Sequence, residues 1–190
     1  DTSETTIVDG LFLGNRAANY GGGLHHEGGA LEVTGTTFKG NRSDDRGGGF
    51  YTQNLASVFD DCTVQGNNAV NLGGGGVCFG GAPEFTDCLF EDNTGGGGAM
   101  FFSIATATIS NTVFRRNTFA ALSLDNTNTT CTNCLFCENN GTYAGAIGHY
   151  SNILTLNHCT LAHNTAEDAS AIHGAGTRTL NITNSIIREN

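Results

Sequence analysis

Proline occurs once in 190 residues, tryptophan not at all, and basic residues number 8 against 18 acidic ones. Glycine is plentiful, at 28 residues, but it lacks the every-third-residue period that a collagen triple helix demands. No apolar run approaches the roughly 18 residues needed for a membrane-spanning helix. The opening residues Asp1-Thr2-Ser3-Glu4 carry neither a basic nor an apolar stretch, so no signal peptide is expected there, as in a mature or trimmed chain. A formal charge of −10 argues against nucleic acid as a partner, because phosphate binding needs clustered Lys and Arg. The acids are spread along the chain, the pattern of a solvated surface. The length suits one domain.

What the chain has in quantity is repetition. Aligned on one asparagine, it gives Asn15, Asn41, Asn67, Asn93, Asn117, Asn139, Asn164 and Asn190, at intervals of 22 to 26 residues. Three residues before each stands a large apolar residue: Phe12, Phe38, Val64, Phe90, Phe114, Phe136, Leu161, Ile187. Five before stands a small one: Gly10, Thr36, Cys62, Cys88, Thr112, Cys134, Cys159, Ser185. Eight before stands a second apolar column: Ile7, Val33, Phe59, Phe85, Ile109, Cys131, Leu156, Ile182. Between these two columns, six before the asparagine, lies a turn-former: Asp9, Gly35, Asp61, Asp87, Asn111, Asn133, His158, Asn184.

The second apolar column is flanked by polar residues, as in Thr108/Ser110, Thr130/Thr132, Thr155/Asn157 and Asn181/Thr183, which is the alternation of a strand with one buried face. A unit this short cannot form a propeller blade, and it lacks the helical spacing of two-helix repeats. The spacing therefore predicts an all-β solenoid over residues 1–190, a right-handed, single-stranded parallel β-helix of about seven coils of 22 to 26 residues. With coils about 4.8 Å apart, the shaft is about 34 Å long. The eight asparagines are expected to form a buried ladder at a turn, each amide bonded to its neighbours, with the phenylalanines stacked beside them. A chain that ends on a ladder asparagine is expected to be a segment of a longer solenoid.

A glycine-rich cluster leading to an apolar residue precedes most of the asparagines: Gly21-Gly22-Gly23-Leu24, Gly47-Gly48-Gly49-Phe50, Gly74-Gly75-Gly76-Val77, Gly97-Gly98-Ala99-Met100. Later copies loosen to Ala120-Ala121-Leu122, Gly145-Ala146-Ile147 and Ser170-Ala171-Ile172. With no helix following and no P-loop lysine, these are turns, not phosphate cradles. The distance from an asparagine to the next apolar residue of this set runs 9, 9, 10, 7, 5, 8 and 8, so length variation falls in the segment after the asparagine. That segment is expected to be an exposed edge where binding specificity resides.

The candidates for chemistry do not converge. Asp44-Asp45 lies beside Arg42 and Arg46, where ion pairing is the plain explanation, and Asp61 is a turn residue that leaves Asp60 alone. Cys131-x-x-Cys134-x-x-Cys137 has the spacing of a metal site, but its members fall in columns facing different ways. Cys62/Cys88 and Cys134/Cys159 are neighbours on adjacent coils; their parallel side chains disfavour disulfides, and buried free thiols are expected. The six histidines, His25, His26, His149, His158, His163 and His173, are read as surface or turn residues. No catalytic, cofactor or metal site is expected. Glycosylation sequons stand at Asn41, a ladder residue, at Asn128 and Asn140 in expected loops, and at outward-facing Asn181, making the last three glycan candidates. The Thr/Asn/Ser array beside the second apolar column resembles the ice-binding face of some β-solenoids, although Glu32 and Glu84 interrupt it.

Gly28-Gly29-Ala30-Leu31 and Gly97-Gly98-Ala99-Met100, paired with the Phe-x-x-Asn units Phe12–Asn15, Phe38–Asn41, Phe90–Asn93, Phe114–Asn117 and Phe136–Asn139, resemble the repeats of polymorphic outer membrane proteins and related β-helix proteins. The resemblance implies an adhesin-like passenger at the cell surface. The expected function is thus a non-enzymatic extracellular or surface scaffold, rigid and structural, adhesive or assembling. Its partners would be protein surfaces, glycans, copies of itself or flanking coils, with no nucleic acid and no membrane insertion. The alternative is a carbohydrate-active β-helix of the polysaccharide lyase or hydrolase kind, with ice binding behind it.

Overall fold

A computed structural model describes residues 3–53, 56–150 and 152–190; Asp1 and Thr2 lie outside the described residues. The described strands pair in parallel from one coil to the next and stack into three long sheets around one interior. The first sheet has eight strands, from Glu4–Val8 to Arg178–Thr183, and the second eight, from Leu11–Leu13 to Ile186–Arg188. The third has seven, from Leu24–Glu27 to Ile172–Gly174. Two-residue strands such as Arg16–Ala17 and Arg42–Ser43 mark a corner between the second and third sheets.

The sequence columns are the registers of the first two sheets. Ile7, Val33, Phe59, Phe85, Ile109, Cys131, Leu156 and Ile182 pair in succession along the first. Phe12, Phe38, Val64, Phe90, Phe114, Phe136, Leu161 and Ile187 do so along the second. Side chains of one column stand one strand spacing apart, close enough for rings to stack: Phe90 on Phe114 at 4.8 Å, Phe114 on Phe136 at 5.1 Å, Phe59 on Phe85 at 4.9 Å. The first turn places Asp9, Gly35, Asp61, Asp87, Asn111, Asn133, His158 and Asn184 at φ of 50° to 58°, where Asp, Asn and Gly are the least strained.

A second left-handed column, one residue before each asparagine, is not apparent from the repeat of residue types. It is Gly14, Gly40 and Gly66 and then Asp92, Arg116, Glu138, His163 and Glu189, all at φ of 52° to 64°. Glycine fits this turn without strain, and the charged residues adopt it because their side chains leave the helix for solvent and one another. Arg116 pairs with Asp92 at 3.0 Å and with Glu91, and His163 with Glu189 at 3.1 Å.

The asparagines form a continuous ladder. Each Oδ1 from Asn41 to Asn190 accepts from both the backbone N–H and the Nδ2 of the asparagine one coil earlier, at 2.8–3.1 Å. Nδ2 also donates to the carbonyl of the preceding coil's apolar residue, as from Asn67 to Phe38 at 2.9 Å and from Asn139 to Phe114 at 3.0 Å. Asn41 through Asn164 are buried, while Asn15 and Asn190, at the two ends of the stack, are exposed. The small column at the first turn is a second set of bonds. Thr36, Cys62, Cys88, Thr112, Cys134, Cys159 and Ser185 each donate a hydroxyl or thiol hydrogen to the carbonyl two residues back.

The third sheet corrects one register. Its first inward column is Leu24, Phe50, Gly76, Met100, Leu122, Ile147 and Ile172, so Gly76, not Val77, is the partner of Phe50 and Met100. Glycine is required there because the Phe50 ring occupies the space its side chain would take; that ring also stacks on Phe59 at 4.5 Å. With this correction, each inward residue from Leu24 to Ile147 stands 17 residues before its asparagine.

Candidate functional site on the outward face of the third sheet

The outward column of the third sheet reads His25, Tyr51, Val77, Phe101, Ser123, Gly148 and His173. In the first coils it is roofed. Tyr51 and Val77 point away from the core yet are only 4% and 1% exposed, because the segment after each asparagine folds back over them. Tyr20 stacks on Tyr51 at 4.7 Å, with His25 edge-on at 5.2 Å, and Tyr20, Arg46 and Leu72 are themselves bridged in parallel as a strip above the sheet.

That roof stops where the segment shortens to Thr118-Phe119-Ala120-Ala121 between Asn117 and Leu122. Here the outward residues are small, Ser123 and Gly148, and a groove of about 290 Å³ opens. Gly96, Phe119, Ala120, Thr142, Tyr143, Ala144 and Tyr150 complete its lining. The short connection forces Phe119 to φ +72° and Ala120 to φ +111°. Gly98, at the matching place one coil earlier, has φ +85°, a conformation suited to glycine. Strain of this kind persists only where surrounding structure enforces it, here through Phe119 N–H to Asn140 O at 2.7 Å and Ala99 N–H to Ala120 O at 3.0 Å.

Three aromatic rings stand exposed around the groove: Tyr143 at 60%, Phe119 at 47% and Tyr150 at 36%. The Tyr150 ring lies over Gly148, where an added Cβ would come within 3.0 Å of it, so this glycine is what lets the ring lie down. His173, one coil further on, meets Tyr143 and Tyr150 at ring distances of 6.0 and 5.8 Å, and its Nδ1 is buried with no hydrogen-bond partner. Among the described residues, no charged one lines the groove. Burial, then Tyr143 and Asp168, hold the Tyr150 phenol above its ordinary range, so it remains a neutral hydroxyl. Aromatic faces rimmed by hydroxyls suit noncovalent binding.

The residues singled out from sequence lie elsewhere. Asp44 sits between Arg16 at 2.8 Å and Arg42 at 3.2 Å, and these two guanidiniums hold its carboxyl below the usual range. Asp45 faces Arg46 at 3.6 Å and accepts from Asn71 at 2.8 Å. Asp61 is a turn residue at φ 50°, and neighbouring Asp60 is half-buried. All seven cysteines are free thiols. Burial pushes Cys78 up to about 12, and a hydrogen bond with Cys131 together with burial brings Cys134 to about 12. Cys137 is half-exposed beside Arg115, and among the described residues no group of three or more His, Cys, Asp or Glu is placed to hold a metal ion.

Two expectations need correction. Asn128 and Asn140 are not in loops: Asn128 opens the strand Asn128–Thr132 and Asn140 the corner strand Asn140–Gly141. Both are exposed because parallel pairing uses the backbone and leaves these side chains outside; Asn140 Nδ2 donates to Thr165 at 2.7 Å. Asn181 is exposed in Arg178–Thr183, and Asn41 is buried in the ladder. His149 is no surface residue. It follows Leu124 in an inward column of the third sheet, is 1% exposed, and neither ring nitrogen has a hydrogen-bond partner. The next residue of the column is Gly174, and the space a side chain would take there is filled by the Arg178 guanidinium. Inward-pointing His26 is half-buried against Thr5 at 3.0 Å. His25, His158 and His163 are all exposed.

The groove residues Phe119, Ser123, Tyr143, Gly148 and Tyr150 escape a reading based on recurring columns, because a binding site is where columns change. Two signals were available: the five-residue spacing from Asn117 to Leu122, and Phe119-Ala120 standing where other coils carry glycine.

A family model described as a right handed beta helix region matches residues 22–190. No curated protein and no solved structure matches the chain.

Proposed function

The chain belongs to the right-handed beta helix family, and from that premise we propose that it is a non-enzymatic extracellular or cell-surface scaffold that uses the third-sheet groove to hold an adhesive partner. One observation carries this reading: exposed aromatics gather around a groove where the covering strip is interrupted. Large exposed apolar side chains clustered around polar groups mark interaction sites on soluble proteins. Supporting it, the Gly-Gly-Ala-apolar and Phe-x-x-Asn units resemble those of polymorphic outer membrane proteins, a surface-exposed group. The carboxylate clusters Asp44–Asp45 and Glu91–Asp92 are engaged by arginines, an arrangement suited to stabilising coils and not to acid–base work.

Bead capture tests the proposal. Beads coated with the wild-type chain are expected to retain intact cells or cell-wall fragments, and beads coated with the Ser123→Phe variant are not. Phenylalanine at 123 would extend the outward column from Phe101 and fill the groove. Equal retention by both, or release of reducing ends from polysaccharide by the wild type, would overturn it.

A further inference from the structure

We infer that the groove between Phe119 and Tyr143 binds a neutral sugar ring; this rests on the groove being the adhesive site. Size comes first: at about 290 Å³ it lies at the small end of ligand pockets and holds one or two pyranose rings. Chemistry comes second. A pyranose has an apolar C–H face and a perimeter of hydroxyls. Tyr143, Tyr150 and Phe119 offer ring faces whose negative quadrupole attracts polarised C–H groups. Ser123, Thr142 and the two tyrosine hydroxyls supply polar partners that both donate and accept.

Charge excludes neighbouring chemistries. Among the described residues the lining has no Lys, Arg, Asp or Glu, so neither a uronate or sulfate nor a cation would find a counter-ion on desolvation. Asp168, close enough to raise the Tyr150 phenol, and a formal charge of −10 both act against an anionic sugar. An extended peptide adding itself as a strand needs free backbone groups on the groove walls. Several of those groups are engaged: Phe119 N–H with Asn140 O, Ala120 O with Ala99 N–H, Thr142 O with Glu167 and Asp168 N–H, and Ala144 bridged to Ala169. Binding therefore depends on side-chain faces and hydroxyls, the pattern a neutral saccharide fits.

The test uses the whole chain and a panel of neutral tetrasaccharides of glucose, mannose, galactose and N-acetylglucosamine, with uronate oligomers as controls. Calorimetry gives affinity, and the change in tyrosine emission, free of tryptophan background, is compared with that of Tyr143→Ala because Tyr20 and Tyr51 also emit. At least one neutral oligomer is expected to bind, with every uronate weaker by about tenfold or more, about 1.4 kcal/mol. Ser123→Phe and, separately, Tyr143→Ala are each expected to weaken it by about tenfold or more. Tyr143 is exposed, so its truncation keeps the test valid if the filled groove perturbs folding. Absence of binding by every neutral oligomer overturns the inference, as does unchanged affinity in the two variants. If Ser123→Phe abolishes bead capture while no neutral oligomer binds, the sugar assignment fails and the adhesive site stands; if capture is also unaffected, both fail.

Discussion

The coils around Tyr51 and the coils around Ser123 share one shaft and differ in what covers it. Around Tyr51, the segment after the asparagine is long and passes through Gly47 at φ +68°, which brings its outer strip down onto the sheet. Around Ser123 the segment is short, glycine is replaced, and the sheet's outward face is open to solvent. The difference teaches that the repeat keeps the interior constant while the length of one segment and the size of one outward column decide whether a coil is closed or receptive. Binding capacity can change on such a scaffold without touching its core.

Four substitutions probe that contrast, from the largest effect downward. Removing an aromatic ring should have consequences of very different size in the two regions. Phe50→Ala deletes a fully buried ring that fills the space over Gly76 and should destabilise by about 3–5 kcal/mol. Tyr143→Ala, in the open region, should change stability by only about 0.5 kcal/mol or less. Denaturant midpoints of the two variants measure both; similar losses would mean that the groove ring is part of the core.

Acid should weaken the open end of the stack first. Burial holds His149 below its ordinary range, and Arg178 acts in the same direction. A base whose folded-state value is lowered leaves stability intact above the ordinary value, about 6.5, and loses it as pH falls below. The slope approaches about 1.4 kcal/mol per pH unit for one proton. His149→Leu, matching Leu124 in its column, should flatten that loss in melts between about pH 7 and pH 5. An unchanged acid profile would show that the ring is solvated on protonation.

The smallest effect concerns strain. Ala120→Gly should stabilise the chain by about 1 kcal/mol, since glycine adopts φ +111° without steric penalty. A lower melting temperature would show that the connection is not strained in the way its angles indicate.

Much of the shaft was legible in the sequence because its columns depend on residue type repeating at fixed offsets from one asparagine. The first two registers follow from apolar side chains that must stack. The third was displaced by one residue at Gly76, where the inward position carries no side chain and Val77 offered a false anchor. The left-handed column beginning at Gly14 escaped because its later members, Asp92 to Glu189, look like ordinary surface charges. The groove was legible only as a place: the variable segment after the asparagine could be named, but Ser123 and Gly148 sit in a column defined by its neighbours' size, which pairing alone reveals.

The asparagine ladder has one more property, which is direction. From Asn15 to Asn164, each Nδ2 gives one hydrogen to the asparagine of the coil that follows, so the amide dipoles add along the shaft, and such hydrogen-bonded chains strengthen by mutual polarisation. The shaft therefore has a direction along its axis. Any assembly along the axis inherits that polarity, and every groove on it faces the same way.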